Sequence, residues 1–110
     1  MRVKTVPMKL LTIVAEAVLR DRLMSELKAL GVSGCTVAEV SGWGSDNVRA
    51  SEWSGPSVRL ETVVSEALAD ELLEVLSQKF FPSWSVAVWL QDVSVVRAER
   101  YAAPRPSGPR

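Results

Sequence analysis

The sequence predicts an α+β domain ordered β-α-β-β-α-β, an antiparallel sheet with both helices on one face and a short extra strand near the C-terminus. Three observations predict it. Runs rich in β-branched residues alternate with runs whose leucines recur at helical spacing. The stretch Thr12-Ile13-Val14-Ala15-Glu16-Ala17-Val18 is matched in character at every position by Thr62-Val63-Val64-Ser65-Glu66-Ala67-Leu68, as if one strand-to-helix unit occurred twice. Finally, 110 residues, 47% of them hydrophobic, suffice for one modest core and not for two.

Residues 1–7 read as an N-terminal extension to a domain over residues 8–101. Met8 to Val14 is an aliphatic strand, and Leu19, Leu23, Leu27 and Leu30 then form one helical stripe that Gly31 and Gly34 terminate. Cys35 to Val40 alternates into a second strand. In the second half, Val58, Leu60, Thr62 and Val64 alternate with Arg59 and Glu61. Ser65 is suited to cap a helix carrying Leu68, Leu72, Val75 and Leu76, which Pro82 ends. Trp84 to Leu90 reads as a fourth strand and Val93 to Val96 as a short fifth. Residues 102–110, Pro-rich and basic, cannot bury apolar surface and are expected to be disordered. The element order is the ferredoxin-like one.

Such a sheet leaves one face open, yet its strands are apolar in both phases. Trp84, Val86 and Val88 share one phase while Ala87 and Trp89 occupy the other, and Leu11 and Ile13 are out of phase with Leu10 and Val14. A half-solvated sheet alternates more cleanly, so further subunits are expected to cover the second face, unless a few apolar residues simply face water.

Thirteen basic and thirteen acidic residues cancel, which disfavours a broad nucleic-acid footprint. The single cysteine, Cys35, and the lack of histidine exclude an internal disulfide, a Cys/His zinc site and histidine-based catalysis. Cys35 reads as a small core or pocket-edge residue, with a reactive thiol as the alternative. No apolar run reaches membrane-spanning length and no signal-peptide pattern follows Met1, so a cytoplasmic protein without membrane insertion is expected. The carboxylates Glu16, Glu26, Asp70, Glu71 and Glu74 read as solvated helix positions, and no catalytic dyad emerges.

The segment Ser41-Gly42-Trp43-Gly44-Ser45-Asp46-Asn47-Val48-Arg49 combines two glycines, small polar side chains and an arginine between two strands. Glycines at 42 and 44 permit positive φ and convergent backbone N–H groups, and Arg49 offers a charged fork, so the segment can cradle a phosphate. Alone, it reads more simply as an ordinary turn.

With the duplicated topology around it, this segment resembles the PII signalling superfamily, over roughly Met8 to Tyr101. Gly42-Trp43-Gly44-Ser45-Asp46-Asn47-Val48-Arg49 is similar to the Gly-x-Gly-Ser-x-Asn-Val-Arg segment of the PII-like branch associated with bicarbonate transporters and carboxysomes, and Lys79-Phe80-Phe81 matches that branch too. The resemblance implies a homotrimer that binds an adenine nucleotide between subunits and reports it to a partner through the loop after the second strand, the T-loop. By position it implies that Gly34, Cys35 and Thr36 lie beside the adenine, and that Gly42, Trp43, Gly44 and Ser45 approach the phosphates with Asn47 and Arg49. Trp84, Ser85 and Val86 would border the nucleotide, and Arg97 falls at a phosphate-binding arginine of classical members. Trp43 could equally cover the sheet edge, and Trp53 contact a partner.

The departures bear on the ligand. Glu99 stands where classical members have a second phosphate-binding arginine, Val86 near their lysine, and Asp46 where the bicarbonate-associated branch has a basic residue. Fewer cations favour AMP, ADP or a cyclic nucleotide over ATP. Bicarbonate at Arg49 or Arg59 is a candidate second ligand, and a bicarbonate transporter or carbon-concentrating component a candidate partner; no tightly bound cofactor and no enzymatic activity are expected. Two alternatives share the fold. An RNA-binding module would need aromatics on one face, whereas Trp84 and Trp89 alternate; an acylphosphatase-like enzyme would need a glycine-rich loop where Ala15-Glu16-Ala17 stands.

Overall fold

The computed structural model describes residues 2–42 and 56–101. Four strands, β1 (Val6–Glu16), β2 (Thr36–Val40), β3 (Ser57–Val64) and β4 (Ala87–Val95), form one sheet in the order β2-β3-β1-β4 with every neighbouring pair antiparallel. Helices α1 (Arg20–Ala29) and α2 (Glu66–Lys79) supply the buried leucines that pack with the sheet. This is the expected α+β, ferredoxin-like arrangement.

Register assigns the two faces. Leu11 and Ile13 of β1 lie opposite Thr62 and Leu60 of β3 and Leu90 and Val88 of β4. They meet Leu23 and Leu27 of α1 and Leu68, Leu72 and Leu76 of α2 in a single core, with Phe80 fully buried beside them. The alternate phase puts Leu10, Thr12 and Val14 on the other face, alongside Val63, Ala87 and Trp89. Trp89 remains 44% exposed there.

Local chemistry sets the helix ends. The Ser65 hydroxyl accepts the Leu68 N–H at 3.2 Å, as its N-cap role requires. At the end of α1, Gly31 takes φ 91°, and the N–H groups of Gly31 and Val32 donate to Lys28 and Leu27 carbonyls at 3.0 and 3.2 Å. A side chain there would strain the turn. Helix α2 ends at Lys79, ahead of Pro82.

Three expectations change. The run Val93–Val96 is not a separate fifth strand: β4 continues unbroken to Val95, and Asp92 pairs with Lys9 on the adjacent β1. Trp84, Ser85 and Val86 precede that strand; the Trp84 N–H turns back to the Phe80 carbonyl at 2.9 Å. The two matched stretches also occupy different structure. Thr12 faces away from the helices while Thr62 faces them, and Ala15 is a buried strand residue where its counterpart Ser65 caps a helix. Lacking a cap, the first half runs on to Glu16 and enters α1 through a 3-10 turn, Ala17–Leu19. The duplication is one of topology.

Candidate functional site

Strand β2 delivers the chain to the glycine-containing segment. Val40 is its last residue, and Ser41 and Gly42 follow, exposed. Trp43, Gly44, Ser45, Asn47 and Arg49, with Asp46 and Trp53, lie outside the described residues. The return is anchored, because the Ala17 N–H donates to the Pro56 carbonyl at 3.0 Å and so fixes the foot of the loop beside the end of β1. The backbone at Gly42 is not left-handed, and a Cβ there would meet no atom of the described residues within 4 Å.

Gly34 and Cys35 lead into β2, and Thr36 begins it. The Thr62 hydroxyl donates to the Gly34 carbonyl at 2.7 Å, tying this entry to β3. Cys35 is half-buried, and burial pushes its thiol pKa up, which suits a protonated pocket-edge residue over a nucleophile. Across the sheet, Thr36, Glu61, Thr12 and Trp89 form one row on the open face. The Thr12 hydroxyl is buried and has no hydrogen-bond partner among the described residues. Beside it on β3, Arg59 and Glu61 form an ion pair at 3.6 Å.

On the far side of the sheet, Trp84 and Val86 are partly buried against the core just before β4. Arg97 follows β4 and is not part of a strand. It adopts φ 60°, an uncommon left-handed conformation for a residue with a side chain, and its carbonyl accepts the Arg100 N–H at 3.0 Å. The 3-10 turn Ala98–Tyr101 begins there. Arg97 is largely exposed, with Glu99 at 3.8 Å.

These positions do not converge within one chain. Gly42 and Gly34–Thr36 belong to the β2 edge, whereas Trp84–Val86 and Arg97 belong to the β4 edge, with β3 and β1 between them. At ~4.8 Å per strand the edges are about 14 Å apart. Along the β4 edge, Val86 and Arg97 flank a nine-residue strand, which at ~3.3 Å per residue separates them by about 30 Å. One cleft, of about 440 Å³, lies between α1 and Val37, and another, of about 410 Å³, around Lys9 and Asp92. Neither is lined by a candidate ligand residue.

The Lys79-Phe80-Phe81 run has a structural role that the sequence did not disclose. Lys79 donates to both carboxylate oxygens of Glu26 at 3.2 and 3.0 Å, and the Arg22 guanidinium lies 4.9 Å from the centre of the Phe80 ring. Both contacts join α2 to α1, so Glu26 is a bridging residue and not merely a solvated one.

Comparison with solved structures places this geometry among regulatory proteins. A Thermus thermophilus protein assigned to the PII-like signalling proteins is 44% identical, with a TM-score of 0.77 over 89% of this chain and 98% of that one. CPII of Thiomonas intermedia, bound to ADP, AMP and acetate, is 29% identical, with a TM-score of 0.81 over 91% of this chain and 99% of its own. The same protein bound to ADP and bicarbonate gives 27% identity and a TM-score of 0.76 over 91% and 99% of the two chains. The family model of the nitrogen regulatory protein P-II matches residues 8–100, and with that match over nearly all the described sheet and helices, this chain belongs to the P-II family.

Proposed function

We propose that the protein is a PII-like signal-transduction protein that binds AMP or ADP between the subunits of a homotrimer and regulates another protein through residues 43–55. The observation that carries the reading is the match to CPII, a relative whose structures hold ADP, AMP and bicarbonate. The scatter of candidate ligand residues supports it, because an intersubunit cleft can unite residues that one chain holds about 14 Å apart across the sheet and about 30 Å apart along β4. The apolar open face, with Trp89 exposed, supports the trimer.

Gly34, Cys35 and Thr36 border the adenine in this reading. The Gly42–Ser45 backbone, Asn47 and Arg49 meet the phosphates, with Trp43 beside them. Trp84, Ser85 and Val86 line the cleft from one copy and Arg97 closes it from another. Phosphate contacts bias the conformation of the 43–55 segment, and a partner reads the difference. Bicarbonate is a second ligand at Arg49 or Arg59, where it competes with Glu61 for the latter. The partner is a bicarbonate transporter or another component of carbon concentration, and the protein acts in the cytoplasm without catalysing a reaction.

Calorimetric titration with AMP, ADP, ATP, cyclic AMP and bicarbonate, singly and in pairs, tests the ligands. Hydrogen exchange between Trp43 and Trp53 is expected to slow when ADP binds. Absence of heat with every adenine nucleotide defeats the reading; unchanged exchange at saturation removes the loop from the signalling step.

A further inference from the structure

We propose that Glu99 sets how many phosphates the site tolerates, by holding a negative charge beside Arg97; the inference rests on the nucleotide reading above. Strand β4 ends at Val95, and the left-handed backbone at Arg97, φ 60°, turns the chain into the Ala98–Tyr101 turn. In a continuing strand, side chains two residues apart would project from the same face at ~6.6 Å spacing. The turn instead brings Glu99 Oε2 to 3.8 Å from Arg97 Nε. A left-handed non-glycine residue costs stability, so its occurrence where two opposite charges are brought together is informative.

The separation is too long for a hydrogen bond. Glu99 therefore offsets the charge of Arg97 without occupying its guanidinium donors. Both side chains are mostly exposed, at 67% and 74%, and can reorient towards a ligand. A phosphate approaching Arg97 can still form its hydrogen bonds, but it also meets a carboxylate. That repulsion grows with each charge the ligand carries near the turn: it is least for AMP, larger for ADP and greatest for ATP. Glu99 is in this way a specificity determinant acting against the more highly charged nucleotides.

The test is Glu99→Gln, which keeps the shape and removes the charge, titrated calorimetrically with AMP, ADP and ATP. Glu74→Gln, at an exposed position of α2, makes the same change in net charge away from the turn. With Glu99→Gln, affinity for ATP is expected to rise about three- to tenfold, the scale of one charge removed at a solvated site, with ADP intermediate and AMP changed less than about twofold. The gain should shrink at ~0.5 M salt, and Glu74→Gln should leave all three affinities unchanged. Equal affinities before and after the Glu99 substitution, or an equal gain for all three ligands, overturns this inference while wild-type nucleotide binding stands. A wild-type protein that binds none of the three overturns the nucleotide reading and this inference with it.

Discussion

Trp89→Ala is expected to weaken assembly without unfolding the chain. Trp89 lies on the open face of an edge strand, and its neighbours Val88 and Leu90, which point the other way, pack against the core. The residue is 44% exposed in the single chain, which for a side chain of ~250 Å² leaves about 110 Å² for a partner to cover. At ~25 cal/mol per Å² this contributes about 2.8 kcal/mol per copy, or about 8 kcal/mol in a trimer. Light scattering after size exclusion, repeated over a dilution series from ~10 μM, should give a trimer mass for the wild type and dissociation at much higher concentration for the variant. Circular dichroism checks that the sheet and helices persist. A wild-type monomer, or a variant whose dissociation curve overlays that of the wild type, refutes the argument from the open face.

Three other substitutions or conditions probe separate steps. Arg49→Ala should reduce adenine-nucleotide affinity by about ten- to a hundredfold, the loss of one charge-assisted contact of ~1.5–3 kcal/mol, with assembly unchanged by light scattering. Thr12→Val should raise the thermal midpoint, because it removes a buried hydroxyl that has no partner among the described residues, a gain of about 1 kcal/mol; a lowered midpoint would reveal a partner for that hydroxyl in the assembly. The Cys35 thiol pKa is raised chiefly by burial, so the folded state retains its proton to higher pH than the unfolded state. Its stabilising contribution is then complete below the ordinary thiol pKa and declines as pH rises through the raised value. Urea unfolding of wild type and Cys35→Ser across that alkaline range should diverge in this direction.

Features set by nearby atoms were legible in the sequence. Ser65 caps α2 through its own hydroxyl, and Gly31 ends α1 through its own backbone, so residue type alone pointed to both. Features set across strands were not. Gln91 and Asp92 interrupt an apolar run and suggest a strand break, but Lys9 opposite Asp92 supplies the pairing that keeps β4 continuous. Val6 and Pro7 look like a tail until Val95 and Ser94 pair with them. The repeat misled for a related reason: matched side-chain character cannot reveal that Thr12 and Thr62 face opposite sides of the sheet, since a one-residue difference in phase exchanges the faces. Among the candidate ligand residues, the types were readable from sequence, but their distribution over opposite sheet edges followed only from the strand order.

In the proposed trimer, the separation of Val86 from Arg97 along β4 couples ligand to assembly. If one copy supplies Trp84–Val86 and its neighbour supplies Arg97, no separated chain can make both sets of contacts, and nucleotide binding is available only to the associated form. Linkage then requires reciprocity, so ADP must strengthen association by the same free energy by which association strengthens ADP binding. At an ADP concentration ~100 times its Kd for a site, each occupied site adds about 2.7 kcal/mol to the assembled state. The Trp89→Ala protein, diluted until mostly dissociated, should therefore reassemble when ADP is added and bind ADP with an affinity that rises with protein concentration. Sedimentation velocity with and without ADP reads the first effect, and titration at two protein concentrations reads the second. A dissociated variant that binds ADP as tightly as the intact wild-type assembly, with no change in mass, would show that a single chain holds a complete site despite the separation of Val86 and Arg97 along β4.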